Sequence, residues 1–209
     1  MQKMLEKRGF KQTIRKMKNN KFISQKLKCL LTTVPAIQKI HVYNEIISLT
    51  VSADQIKNAF LILKHQSHFQ FKLLSCVSGL DCPDNKYRFK VIYDLLSIRY
   101  NNRIRVKTFT NETSPLPSID SIYPAAGWYE SEIWDMFGVF FQNHSNLTRL
   151  LTDYGFEGYP LRKDFPLSGF IETNYNYTKK QVLNNKIELS QEFKTFTFSS
   201  PWDDIEIKH

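Results

Sequence analysis

With three cysteines, seven glycines and eight prolines in 209 residues, the chain is poor in the residues that staple or break a fold. Cys29, Cys76 and Cys82 form no C-x-x-C pair and leave at least one thiol unpaired. That excludes a disulfide-framed scaffold and favours a reducing compartment. No apolar run approaches the roughly 18 to 20 residues that span a bilayer. The short stretch Cys29-Leu30-Leu31 falls well below a secretory h-region of about 7 to 15 residues. Acidic residues are scarce in one place only. Residues 1–28 hold ten Lys/Arg against the single Glu6, while the remainder is balanced at 19 basic and 19 acidic side chains. The formal net charge of +9 therefore belongs to an N-terminal extension, and a body coated in positive charge is excluded.

Apolar surface is plentiful. At 42% hydrophobic and 14% aromatic residues, the chain can bury enough area to offset ordering entropy, which excludes disorder as its main state. Lys outnumbers Arg 21 to 8, alongside 16 Phe and 14 Asn, a bias towards AT-rich codons that fits an organellar genome.

In the extension, Phe10, Ile14, Met17, Ile23, Leu27 and Leu30 recur at helical spacing among basic residues until Pro35. This basic amphipathic segment suits an organellar targeting signal, a lipid-surface anchor, or an arm onto an acidic partner or RNA. It equally suits a solvated extension packed on a neighbour. Residues 37–43 and 45–51 read as a hairpin turning at Asn44. Ser52 and Gln55 form a capping box for a helix with Ile56, Ala59, Phe60 and Leu63 on one face, ending near His65. Residues 71–77 are strand-like. Residues 87–93 and 103–107 alternate as neighbouring strands with a cationic outer face. Residues 118–150 read as helical, with Ala126, Tyr129, Ile133, Trp134 and Phe137 in phase, Gly138 as C-cap, and Ser145 capping a further brief helix.

The pattern predicts an α+β fold: a mostly antiparallel or mixed sheet of about four to five strands with helices packed on it. This core domain spans residues 29–151, preceded by the basic extension 1–28 and followed by an extended, interface-forming arm, 152–209. Glycines, prolines and aromatics punctuate the arm, which has too little periodicity to make a core of its own.

Chemistry-bearing motifs are thin. His65 and His68 have no cysteine near them, and a surface or capping role outweighs metal ligation. Cys76, in an apolar strand, reads as a small buried hydrophobe. The run Gly155-Phe156-Glu157-Gly158 matches a bare G-x-x-G loop, but Glu157 would point negative charge at a phosphate. Glu130, Glu132 and Asp135 cluster, with Glu132 and Asp135 on one helix face. Ion pairs with Arg149, Arg162 or Lys163 are the plainer expectation than acid/base work. No catalytic, cofactor-binding or metal-ligating residue is expected.

The strongest signal is Trp128-Tyr129-Glu130-Ser131-Glu132-Ile133-Trp134-Asp135-Met136-Phe137-Gly138, followed by Leu150-Leu151-Thr152-Asp153-Tyr154-Gly155-Phe156-Glu157-Gly158-Tyr159-Pro160-Leu161-Arg162-Lys163-Asp164-Phe165-Pro166-Leu167-Ser168-Gly169. Together these resemble the signature of the thirty-kilodalton (NuoC-type, subunit 9) subunit of respiratory complex I, the NADH:ubiquinone oxidoreductase, in its mitochondrial branch. Similarity runs from about residue 30 to 202. Departures are Ser131 for an Arg, Ser145, Asn146 and Thr148 in the following loop, and Tyr159 for a His. The charges lost are expected to be surface contacts.

The resemblance implies a non-catalytic core subunit of the peripheral arm that braces the quinone module and supports assembly. It implies no cofactor on this chain, with FMN and iron–sulfur clusters in other subunits. Implied partners are the large quinone-site subunit and adjacent cluster-bearing subunits, without nucleic acid and without a transmembrane segment, at the matrix side of the mitochondrial inner membrane. An organellar ribosomal or RNA-binding protein is the alternative. The expected interface residues are Trp128, Glu130, Glu132, Trp134 and Asp135, fixing the helix, Arg149, and Arg162, Lys163, Asp164 and Phe165, anchoring the arm. Arg162→Ala is accordingly expected to leave the folded body stable while lowering assembly.

Overall fold

The computed structural model describes residue 27 and residues 29–34, 36–43 and 46–191. The rest of the basic extension, the turn at Asn44, and the tail from Glu192 lie outside the described residues.

Residues 29–33 are helical, and Leu27, Leu30 and Val34 are buried in the main core. The expected hairpin follows as β1 (Ile37–Tyr43) and β2 (Ile46–Val51), paired antiparallel. Next come α1 (Ile56–His65), β3 (Leu73–Asp81), β4 (Phe89–Ser97) and β5 (Asn102–Thr110). The five strands form one sheet in the order β1-β2-β5-β4-β3. It is mixed, because β2 and β5 run parallel while every other neighbour is antiparallel. The α+β expectation holds.

Strict alternation on β4 and β5 sends Phe89, Val91, Tyr93 and Leu95, with Ile104 and Val106, to one buried face. Ile56, Ala59, Phe60 and Leu63 line the matching face of α1 and are fully buried. Phe60 meets Tyr93 edge-on at 5.0 Å between ring centroids, a pairing that contributes about 0.5–1.5 kcal/mol beyond area burial. The second helix, α2 (Ala126–Phe137), packs on β3, with Phe137 edge-on to Phe89. Both helices thus cover the same face. Between β5 and α2 lies the short β6 (Leu116–Pro117), which pairs parallel with β7 (Phe141–Gln142) beyond the helix.

Four expectations are corrected. The Ser52 side chain does not cap the helix. Its carbonyl oxygen accepts the Gln55 N–H within a 3₁₀ turn, Ala53–Gln55, that leads into α1. The helix expected over 118–150 is confined to Ala126–Phe137, ending at Gly138 in the left-handed conformation (φ 76°). Residues 145–151 form no helix, because the Asp120 side chain takes up the Ser145 N–H and the Asp135 side chain those of Leu150 and Leu151. Cys76 is only half-buried. It faces Asp94 on the outer side of the sheet, displaced by a bulge between Leu74 and Cys76.

The chain divides into two compact units, one running to Phe165 and the other starting at Pro166. Residues 152–165, placed by their lack of periodicity in the arm, fall within the first unit. The second contains an antiparallel hairpin, β8 (Ile171–Asn176) and β9 (Gln181–Lys186). The Asn176 side chain accepts the N–H groups of Thr178 and Lys179 in its turn.

Candidate functional site

Helix α2 carries two fully buried carboxylates, and each holds a segment of irregular chain. Glu130 accepts hydrogen bonds from the Ser118 hydroxyl (2.5 Å) and the Ile119 N–H (3.0 Å), fixing the chain between β6 and α2. The ring of His144 lies near, but its Nε2 is 3.8 Å from the carboxylate and 3.1 Å from the Gly127 carbonyl oxygen. The Asn146 N–H donates to Nδ1 of the same ring. The nearer partner of Nε2 is therefore the Gly127 carbonyl oxygen, not the Glu130 carboxylate. Burial pushes the Glu130 carboxyl up to about 7, against the pull of the Ser118 and Ile119 hydrogen bonds. The Tyr93 hydroxyl is buried with no hydrogen-bond partner among the described residues, and burial followed by the charge of Glu130 raises it.

Asp135 is built oppositely. Its Oδ2 accepts the N–H groups of Leu150, Leu151 and Thr152 at 3.2, 2.8 and 3.0 Å, and its Oδ1 accepts the Thr152 hydroxyl at 2.7 Å. Burial alone would raise this carboxyl, yet the Thr152 hydroxyl and the backbone donors hold it below its ordinary value. Arg149, 3.6 Å away, is an outlying partner. This clamp explains the missing helix. Three successive N–H groups pointing at one carboxylate cannot also reach helical carbonyls four residues back.

A third carboxylate, Asp81, sits at an inward position at the end of β3 and is buried. Arg88 grips both its oxygens (2.8 and 3.0 Å), and the Lys163 N–H donates to Oδ2 at 2.8 Å. Arg88 also reaches Asp164 (2.9 Å) and Glu112 (2.7 Å). Arg162 donates from Nε to the Phe137 carbonyl oxygen at 2.7 Å and lies over the rings of Tyr159 (4.4 Å) and Phe89 (5.1 Å). The Leu161 N–H donates to the Met136 carbonyl oxygen. Gly138 fits beneath this stack because a Cβ there would stand 2.5 Å from the Arg162 guanidinium and 2.7 Å from the Tyr159 ring.

The expected residues therefore separate by depth. Glu130 and Asp135 are interior, Trp134 and Phe165 partly covered, and Arg149 and Arg162 half-buried within the chain's own contacts. Trp128, Glu132, Lys163 and Asp164 reach solvent. Glu132 and Asp135 do not work as a pair, since one is exposed and the other enclosed. Of the expected ion pairs, Arg149 with Asp135 is present at 3.6 Å, while Arg162 and Lys163 take other partners. Arg162 approaches Glu112 (3.3 Å), and Lys163 contributes its backbone to Asp81. Ser131, standing for a family Arg, is buried with its hydroxyl 3.5 Å from the Asn146 carbonyl oxygen, so this departure is not a surface one. Tyr159 supplies the ring beneath Arg162. Sequence reading missed Asp81, Arg88, Glu112 and Ser118. The available signal was Asp81, a charge in the inward phase of an alternating strand.

Around these clamps the chain exposes Trp128 (72%), Phe140 (53%), Leu151 (65%) and Tyr154, which is fully exposed. Rigidly held segments that present large apolar side chains have the make-up of a preorganised protein interface. Among the described residues, no three His, Cys, Asp or Glu side chains converge as a metal site would require.

Comparison with known proteins points the same way. Residues 49–171 match the family described as respiratory-chain NADH dehydrogenase, 30 Kd subunit. The chain is 45% identical over 195 residues to NADH-ubiquinone oxidoreductase subunit 9 of Reclinomonas americana, covering 93% of this chain and 96% of that relative. It is 49% identical over 152 residues to NADH dehydrogenase (ubiquinone) iron-sulfur protein 3 of Solanum tuberosum, covering 73% and 80%. Among solved structures it is similar to a chain of the membrane-bound sulfane sulfur reductase, an archaeal respiratory membrane complex. The TM-score is 0.60 at 28% identity, covering 68% of this chain and 85% of that one.

Proposed function

The chain belongs to the 30 kDa subunit family of respiratory-chain NADH dehydrogenase, and from that premise we propose that it is a bracing, non-catalytic subunit of complex I. It sits in the peripheral arm against the large quinone-site subunit and adjacent cluster-bearing subunits, and it supports their assembly. FMN and iron–sulfur clusters are carried by other subunits. Its place is the matrix side of the mitochondrial inner membrane, where attachment runs through partners. No described helix is long and apolar enough to cross a membrane.

One observation carries this reading. Asp135, buried inside the chain, holds Leu150 to Thr152 by four hydrogen bonds beside the exposed Leu151 and Tyr154. Here the polar chemistry serves to fix a surface. Native gel electrophoresis of detergent-solubilised membranes tests the proposal: the chain is expected to co-migrate with NADH dehydrogenase activity. Trp128→Ala should reduce its share of the assembled band without lowering the melting temperature of the chain. Migration away from all NADH dehydrogenase activity would sink the reading.

A further inference from the structure

The sheet face opposite the two helices has its own chemistry. Register places Lys39 of β1 beside Thr50 of β2, and Thr50 beside Lys107 of β5. Lys107 lies opposite Ile92 of β4, and Lys90 opposite Phe109. With strands about 4.8 Å apart, and diagonal neighbours on one face about 7–8 Å apart, these lysines share one patch of the outer face. They line a groove of about 900 Å³, open to solvent, to which Lys86 adds a fourth lysine at the rim and Asp54 the sole carboxylate.

One neighbouring cation on this face is neutralised. Arg105 is held by both oxygens of Asp94 at 2.7 and 2.8 Å. The groove lysines have no such partner: among the described residues neither Lys90 nor Lys107 makes an ion pair, and Lys90 rests over the Phe109 ring at 5.3 Å. Partial burial, then the neighbouring charges of Lys90 and Arg105, pull the Lys107 ammonium below its ordinary value. The groove thus holds like charges close together, and an incoming anion would offset their repulsion.

We propose that this groove receives an extended acidic segment of a neighbouring subunit, with carboxylates seated among Lys39, Lys90 and Lys107. The inference rests on the reading of the chain as a subunit of a larger complex. A chain segment suits the site better than a nucleic acid. The lysines line a single groove on a body that carries no net charge beyond residue 28, and a nucleic acid would need phosphate contacts along a longer track. Tyr87, Phe109 and Pro115 at the groove offer apolar surface for the side chains that would flank the acids.

The test uses the assembled complex purified in mild detergent. Its lysines are labelled with an amine-reactive acetylating reagent, and the same complex unfolded in denaturant serves as reference. Carbodiimide coupling in the native complex is read in parallel by mass spectrometry. Lys90 and Lys107 are expected to label several-fold less in the native complex, and to yield zero-length links to Asp or Glu of another chain. Full labelling of both in the native complex overturns the proposal. So does protection without any such link, or protection abolished by nuclease or phospholipase, which would assign the groove to phosphate. Any of these leaves the subunit reading standing if the chain still co-migrates with NADH dehydrogenase activity. As a control on folding, Lys107→Gln in the full chain should not lower its melting temperature, although it lowers recovery in the complex.

Discussion

Glu130 and Asp135 share a helix and full burial, yet their carboxyl groups shift in opposite directions. Two things differ: Glu130 lies deeper in the chain, so its burial costs more, and Asp135 has more donors. Glu130 receives two hydrogen bonds, so burial wins; Asp135 receives four, so the donors win. For Glu130 the folded chain binds the proton more tightly than the unfolded one. Its stabilising contribution is full below the ordinary value of 4.5 and is lost as the pH rises through about 7. The amount at stake is about 3 kcal/mol. Glu130→Gln keeps an acceptor for the Ile119 N–H without the charge, and should remove this slope. Melting temperatures of the full chain between pH 5 and 8 check it: wild type is expected to lose stability with rising pH, and the variant to stay level and exceed it at pH 8. Asp135 acts in the other window, since its stabilisation is present above the ordinary value of 3.8 and lost as the pH falls below it. Asp135→Asn sets an amide NH₂ against one of its donors at any pH. It should cost about 3 kcal/mol, read as a lower urea midpoint at pH 7.

At the scale of elements, the strands and α1 were legible because alternation and helical phase report directly which face is buried, as in β4 and on Ile56, Ala59, Phe60 and Leu63. The stretch from 145 to 151 was not. Its leucines are spaced as in a helix, but its backbone conformation is set by Asp135, a partner fifteen or more residues away whose reach no local pattern encodes. The Asp81–Arg88–Asp164 network was hidden for the same reason, because its members meet only once β3 and β4 are in register. Arg162 shows what this changes. Read from the sequence, it is an anchor for partners; in the fold, it ties the segment after Tyr159 to the end of α2 and packs on two rings. Arg162→Ala should therefore lower the stability of the chain itself, by about 2–3 kcal/mol from one charge-assisted hydrogen bond and two ring contacts. Urea unfolding of the full chain checks this. An unchanged midpoint would return Arg162 to a role at the interface alone.

At the scale of the whole molecule, the two units differ in what they can do unaided. The unit ending at Phe165 contains the five-stranded sheet, both labelled helices and the main buried core. The hairpin of β8 and β9 exposes nearly every residue. It is held by its own ladder, by Asn and Thr side-chain pairs, and by Tyr175 against Tyr177. A lone two-stranded hairpin is marginally stable in water, because it buries too little apolar surface to offset ordering entropy. If the chain is a brace, a partner in the complex is expected to supply burial for this hairpin. Amide hydrogen exchange then has a defined outcome. In the chain alone, the amides of Ile171–Asn176 and Gln181–Lys186 should exchange many-fold faster than those of β4 and β5. In the assembled complex they should become protected, whereas β4 and β5 change little. A chain ending at Phe165 should enter the complex poorly. Strong protection of the hairpin in the isolated chain would show that it needs no partner, and would remove it from the assembly surface.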